Sequence, residues 1–263
     1  MKSKTITVII LCKEASDRFV ECIKSAKLLA QEIIVYSSNK DDLLLNKLSL
    51  QLSFKVIFDA KWDGFGVQRQ KAQQYATSKY CLWLDSDEVL TDKLVAEIKQ
   101  FLSTAKDNDI LAIPRLNHVL GLKVKHCGWY PDYVLRLHSN KYTTYNDSFV
   151  HEKLILKDDS KVTHAKNYLL HYTYDTLDNM YQKQQTYCSL WAKNYYQKRH
   201  KACSLITPFY KATFMFVKKY LLQLGFLDGK IGLIVSATSA QYTFTKYMIL
   251  YSYKYQNNVN GKN

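Results

Sequence analysis

Tyr80-Cys81-Leu82-Trp83-Leu84-Asp85-Ser86-Asp87-Glu88 is the stretch on which the fold turns. Its opening, Tyr80–Leu84, is apolar and aromatic, the composition of a central strand in a parallel sheet. Its close, Asp85–Glu88, holds three acids. Carboxylates set that close repel one another, so a cation is their natural partner. Hard divalent ions such as Mg²⁺ or Mn²⁺ take oxygen ligands and bridge to substrate phosphates. Open α/β sheets bind ligands at the carboxyl ends of their strands, where these acids stand. A second reading competes, because Asp and Ser are also common in solvated turns that cap the next helix.

The flanking sequence alternates between two periods. Thr5–Leu11 and Glu32–Ser38 read as β-branched strands, Phe54–Ala60 as a third. Between them, Ser16 is placed to cap a helix with Phe19, Cys22, Ile23, Ala26, Leu29 and Ala30 on one face, and Leu43–Leu52 reads as a short helix. Gln68–Ala76 forms a helix before the acidic strand, and Thr91 caps one after it with Leu94, Ile98, Phe101 and Leu102 inward. The β-α-β-α-β-α-β-α order predicts an α/β fold, a Rossmann-like, mainly parallel sheet with flanking helices. The first strand leads into Cys12-Lys13-Glu14-Ala15 and not into a Gly-rich loop. That argues against a nicotinamide dehydrogenase or a P-loop kinase.

From Ile110 to about Leu156 short strand-like pieces (Ile110–Arg115, Tyr133–His138) alternate with loops rich in His, Trp, Tyr and Arg, the texture of a site wall. From Asp175 the pattern is helical, which divides the chain into an α/β domain over 1–174 and a helical extension over 175–263. Within that extension Ile231–Thr245 is too short and too polar to span a bilayer. A length of 263 residues with 47% hydrophobic content suits one large or two small domains and excludes a largely disordered chain. Six cysteines are scattered with no C-x-x-C pair, and the N-terminal MKSKTITVIILCKE reads as a strand and not as a signal peptide. Reduced thiols in a cytosolic protein are expected. The net charge is +14, and from Asn179 onward twelve Lys or Arg face a single acid, Asp228. Lys198, Arg199, Lys201, Lys211, Lys218 and Lys219 are interleaved there with aromatics. Such a segment suits a polyanion, either nucleic acid or an anionic membrane face. An ordinary basic helical surface is the plainer alternative.

Several motifs then coincide in order: TITVIILCKE, EIIVYSSNKDD, WDGFGVQRQKA (Trp62–Ala72), LWLDSDEVLT (Leu82–Thr91), GWYPDYVLRL (Gly128–Leu137), VHEKL (Val150–Leu154) and LGFLDGKIG (Leu224–Gly232). Together they resemble glycosyltransferase family 2 with its GT-A fold. More narrowly they resemble the lipopolysaccharide inner-core β-1,4-glucosyltransferase group. The resemblance covers most of the chain. It implies an inverting transferase with a UDP-hexose donor (UDP-glucose in the narrower group) and a divalent metal, Mg or Mn. The implied acceptor is an anionic lipid-linked saccharide, a heptose of the inner core. The implied location is cytoplasmic, peripheral on the inner face of the inner membrane, with no nucleic acid expected.

The resemblance also implies site residues. Asp85 and Asp87 match the D-x-D positions, Asp87 as metal ligand and Asp85 on the ribose or the metal's water shell. Glu88 either supports them or starts the next helix. Gln68 and Arg69 fall in the segment that lines the nucleotide pocket. Arg136 faces a diphosphate or acceptor phosphate, or else forms a structural pair with an acid such as Asp132. Inversion needs a base on the acceptor hydroxyl, for which Glu152 is the first candidate and Asp147 the second. His151 orients Glu152 or contacts the diphosphate, and His171 stands where a late histidine lies near metal or diphosphate. The chain departs from the family pattern at Tyr36, where the second strand usually ends in an Asp that reads the nucleotide. A tyrosine can stack on a base but cannot replace a carboxylate acceptor, and Asp41 or Asp42 would have to substitute.

Overall fold

A computed structural model describes residues 5–148 and 152–259. Two compact units emerge. One comprises the chain up to Leu116 together with Asp132–Tyr172; the other comprises Asn117–Pro131 with the chain from Thr173 onward.

The first unit begins with strand β1 (Ile6–Leu11), helix α1 (Asp17–Ala26), β2 (Glu32–Ser37), α2 (Leu43–Gln51), β3 (Lys55–Phe58), α3 (Phe65–Gln73) and β4 (Tyr80–Asp85). The short β5 (Glu88–Leu90), α4 (Asp92–Thr104), β6 (Asp109–Val119), β7 (Leu122–Lys123), β8 (Asp132–Ser139), β9 (Lys161–His164) and β10 (Leu169–Tyr174) follow in the chain, β7 and the last residues of β6 and β10 being counted in the second unit. The strands form one sheet in the order β3-β2-β1-β4-β8-β6-β10-β5, with β7 and β9 both pairing β6. The first four strands are mutually parallel, as the alternating pattern predicts. Beyond β4 the pairing turns antiparallel at β8, so the whole is a mixed sheet flanked by helices, a GT-A-like α/β fold.

Strand alternation sorts the core into two layers. Ile6, Val8 and Ile10 of β1 and Tyr80, Leu82 and Leu84 of β4 point into the layer that also receives Phe19, Cys22 and Ile23 of α1 and Leu94, Ile98 and Leu102 of α4. Ile9, Cys81, Trp83 and Tyr36 point the other way, against Ala72 and Tyr145. Both central strands are buried on both faces, which is why they read as unbroken apolar runs. Ser16 and Thr91 cap α1 and α4 as their sequence positions suggest, accepting from the backbone N–H of Phe19 and Leu94. Leu29 and Ala30 fall beyond the last turn of α1. Helix α3 starts three residues before Gln68, at Phe65. Gly66 is required there: a Cβ would lie 2.0 Å from the Asn146 carbonyl oxygen, and the Gly66 N–H donates to Ser148 O at 3.1 Å.

In the second unit Thr176 caps α5 (Leu177–Arg199), and α6 (Thr207–Val217) runs into a π-helical turn, Lys218–Leu222. A 3-10 turn, Gly225–Asp228, precedes the long α7 (Lys230–Val259). Asp228 organises the LGFLDGKIG motif. It accepts from the N–H groups of Lys125 and His126 at 3.0 and 2.7 Å and pairs with His126 Nδ1 at 2.6 Å. Gly232 lets the 3-10 turn lie against α7, since a Cβ would meet Gly225 O at 1.7 Å. All six cysteines are free. No helix among the described residues is long and apolar enough to cross a membrane.

Candidate active site

The site grows from register. Leu11 of β1 stands opposite Tyr36 of β2 on one side and Asp85 of β4 on the other, and Tyr36 stands opposite Ile57 of β3. Four parallel strands therefore end in one row, and their carboxyl ends open on a cavity of about 620 Å³, within the range of small-molecule sites. Its lining includes Lys13, Tyr36, Asp59, Trp62, Phe65, Gln68, Asp85, Asp87 and His171.

Asp85 is the most constrained group. Arg69 Nη2 reaches its Oδ1 at 2.8 Å and Arg136 Nη2 its Oδ2 at 2.6 Å. Burial works to raise this carboxyl, but the charges of Arg136 and Arg69 outweigh it and hold it well below the usual carboxylate range. Arg69 also binds Glu152 Oε1 through Nε at 2.9 Å and lies over the rings of Trp83 and Tyr145. Both guanidiniums are buried behind Asp85 and neither lines the cavity. Arg136 does not pair with Asp132. That acid is taken by Arg115, at 2.5 Å, while Arg136 pairs with Asp85 and Glu88.

Glu88 is not a helix start. It opens β5, is fully buried, accepts the Asp85 N–H at 2.9 Å and pairs with Arg136. The helix begins at Asp92, because Thr91 supplies the capping oxygen. Burial pushes the Glu88 carboxyl up, so the acids of this motif differ sharply in character although they are neighbours in sequence.

Asp87 is one-third exposed toward the cavity. Strand β10 sets His171 opposite Glu88, its Nε2 lies 3.6 Å from Asp87 Oδ2, and the Tyr172 N–H donates to Asp87 O. Among the described residues no three His, Cys, Asp or Glu side chains form a self-sufficient metal cluster. Asp87 and His171 together present one oxygen and one nitrogen donor beside Asp85. This set fits an ion that draws its remaining ligands from a diphosphate and water.

At Tyr36 the structure supplies a carboxylate from elsewhere. The Tyr36 hydroxyl donates to Asp59 Oδ2 at 2.8 Å, Lys71 Nζ binds the same oxygen at 2.9 Å, and the Lys61 N–H reaches Oδ1 at 3.0 Å. Lys71 and Tyr36 hold the Asp59 carboxyl down at about 2. Burial and the bond to Asp59 push the Tyr36 hydroxyl up. Asp42 cannot serve here, since it caps α2 and accepts the Ala15 N–H at 2.7 Å; Asp41 does not line the cavity either. Trp62 and Phe65 meet edge to face at 4.9 Å on the rim, each about two-fifths exposed.

Gln68 lines the cavity, its Nε2 bonded to Lys61 O. Glu152 joins the site through Arg69 without lining the cavity, and Asp147 is exposed and does not line it either. His151 lies outside the described residues. Lys13, Asp59 and the two rim aromatics line the cavity although their sequence positions suggested no role there. Among the described residues Lys13 is the single Lys or Arg in the lining, in the CKE loop that replaces a Gly-rich turn.

A family model, glycosyl transferase family 2, matches residues 7–161. A glycosyltransferase of Rickettsia prowazekii (strain Madrid E), otherwise uncharacterized, is 26% identical over 250 residues, covering 89% of this chain and 83% of that protein. A counterpart in Rickettsia felis is 24% identical, covering 86% and 84%. Among solved structures, S. aureus TarS 1-349 in complex with UDP-GlcNAc aligns over 96% of this chain and 92% of that one, at 12% identity and a TM-score of 0.45. With the family match spanning more than half its length, the chain belongs to glycosyltransferase family 2, whose reaction is sugar transfer from a nucleotide-sugar donor.

Proposed function

We propose that the cavity binds a UDP-hexose and that the enzyme moves the hexose, with inversion, onto a hydroxyl of an anionic lipid-linked saccharide. The row Tyr36–Leu11–Asp85 carries this reading, because it sets the Tyr36–Asp59 pair and the Asp85–Asp87–His171 group along one cavity. Glucose delivered from UDP-glucose to an inner-core heptose is the narrower form, supported by the motif resemblance alone. A capsular or polyprenyl-linked saccharide meets the same requirements, and the rickettsial relatives are described only as glycosyltransferases.

Each residue has a task in this proposal. Asp59, ionised and acceptor-only, takes the imide N–H of a uracil; a cytosine presents a bare ring nitrogen there and is repelled. Trp62 and Phe65 cover the ring or the sugar with apolar surface. Asp87 and His171 would hold Mg²⁺ or Mn²⁺, and such an ion, when bound, neutralises charge on the departing diphosphate. Asp85, clamped by two guanidiniums, holds the ribose or the ion's water shell in one orientation. Lys13 offers the mobile positive charge, a task that the ion-paired Arg69 and Arg136 are not free to perform. In transfer, the acceptor oxygen bonds to the anomeric carbon as the bond from that carbon to the diphosphate breaks. UDP leaves with the electron pair, and the hydroxyl proton passes to a carboxylate. Glu152 is the favoured base because Arg69 ties it to Asp85; Asp147 is second.

The test is calorimetric titration of UDP and UDP-hexoses with Mn²⁺ or EDTA, followed by mass spectrometry of products on truncated lipopolysaccharide acceptors. Metal-dependent UDP binding with transfer to a saccharide is expected. No binding of any uridine nucleotide, beside tight salt-sensitive binding of RNA or DNA, would overturn it in favour of a nucleic-acid partner.

A further inference from the structure

The second unit carries a feature that nucleotide-sugar chemistry does not use. Ile206, Tyr210, Phe214, Val217 and Leu221 follow one another at spacings of four, four, three and four residues, from the N-cap of α6 along that helix and the π-helical turn that continues it. That spacing returns to one side of a helix. These residues stand 66%, 51%, 57%, 36% and 52% exposed, an apolar stripe left in water on a helix of a folded unit. Single exposed hydrophobics need no explanation, whereas a continuous stripe marks an interaction surface.

Charge selects the partner. Lys201, five residues before the stripe, and Lys218, between Val217 and Leu221, are exposed, and Lys211 sits 5.3 Å from the Tyr210 ring. The one acid after Asn179, Asp228, is consumed by His126 and two backbone N–H groups. A second copy would bring the same uncompensated lysines against each other. A nucleic acid would match the charge but finds aliphatic Ile206, Val217 and Leu221 where it needs stacking faces. An anionic phospholipid surface satisfies both features, with lysines at the headgroups and the stripe among the acyl chains. One lysine that the sequence suggests for such a role is withdrawn from it: Lys219 Nζ donates to Cys127 O at 2.7 Å.

We infer that α6 and its π-helical continuation form a monotopic membrane-insertion face, laid in the plane of an anionic bilayer with Ile206, Tyr210, Phe214, Val217 and Leu221 inserted. The inference rests on the reading of the acceptor as lipid-linked for its purpose, though not for its evidence.

Co-sedimentation of the full chain with vesicles of phosphatidylglycerol and phosphatidylcholine tests it, in low and high salt, beside vesicles of phosphatidylcholine alone. Binding to the anionic vesicles is expected. High salt should weaken but not abolish it, because insertion of the stripe is not screened. Ile206→Glu and Phe214→Glu should each weaken partitioning by about tenfold or more. UDP titration of the same variants should match the parent, which shows that they are folded. Indifference of the parent protein to anionic vesicles would overturn the inference, as would variants that bind equally well. So would a dimer in the absence of lipid that either variant dissolves, or RNA binding that the variants lose. If the vesicles bind and UDP does not, the donor reading fails and the membrane face stands; the reverse result removes the face alone.

Discussion

The Tyr36 hydroxyl donates to Asp59 Oδ2 across 2.8 Å, joining the end of β2 to the residue that follows β3. A carboxylate thereby reaches the nucleotide end of the proposed site from the neighbouring strand, ionised because Lys71 and Tyr36 both donate to it. Asp59→Asn should abolish discrimination between UMP and CMP, at a cost of about tenfold or more in UMP affinity. Tyr36→Phe should keep the preference and weaken binding only severalfold. Isothermal titration with the two nucleotides reads both, and an Asp59→Asn variant that still prefers UMP would remove Asp59 from base recognition.

The ion-binding role assigned to Asp87 and His171 separates from simple charge. Asp87→Ala should leave UDP titration insensitive to Mn²⁺. His171→Gln should lower Mn²⁺ affinity and largely spare metal-free UDP binding. The Mn²⁺ electron spin resonance signal, followed with and without UDP, checks this independently of turnover. Unchanged Mn²⁺ dependence in Asp87→Ala would defeat the assignment.

The cations at the site fall into two kinds, which substitution should expose. Arg136 is buried between Asp85 and Glu88, so Arg136→Met leaves Asp85 with Arg69 alone and the buried Glu88 with only the longer, 3.7 Å contact to Arg115. Breaking a buried pair in this way costs about 3–5 kcal/mol, visible as a lowered denaturant midpoint. Lys13 is exposed at the cavity, so Lys13→Met should leave the midpoint unchanged and weaken UDP binding instead. An unstable Lys13→Met or a stable Arg136→Met would reverse this division.

Glu152→Gln should keep donor affinity and lose transfer by two or more orders of magnitude, the usual scale of a general base. If Asp147→Asn shows that split and Glu152→Gln does not, the base is Asp147.

His138 gives a pH signature outside the site. It is fully buried, its Nδ1 donates to Ser139 O at 3.0 Å, and burial pushes its imidazole down to about 4 from an ordinary 6.5. The unfolded chain therefore takes up a proton that the folded chain refuses. Stability should fall as pH drops from 6.5 to about 4 and level off below, a loss on the order of 3 kcal/mol from this group. His138→Leu should flatten the thermal midpoint across that window; an unchanged slope would discard the assignment.

The four parallel strands, the helices between them and the caps at Ser16 and Thr91 were legible in the sequence because each rests on neighbours within one turn or one pleat; the short β5, β7, β9 and β10 were not. Ser16 and Thr91 cap from three residues away, and Val8, Ile10, Leu82 and Leu84 face one core layer because alternate strand residues must. So, too, was the acidic end of β4, since a buried strand that runs into carboxylates is a local pattern. The parallel register then aligned Leu11, Tyr36 and Asp85. What only the tertiary structure decided is how those charges are shared. Local sequence does not show that Arg69 and Arg136 both close on Asp85, that Glu88 is buried in a strand, or that β10 carries His171 to Asp87. Nor does it show that Asp59 answers for the tyrosine at position 36. The physical reason is range: periodicity reports which side of an element is apolar, whereas ion pairs depend on which strand ends become neighbours across the sheet. Asn117–Pro131, read as loop within the α/β domain, joins the helical unit for the same reason, held by Asp228 from a distant turn.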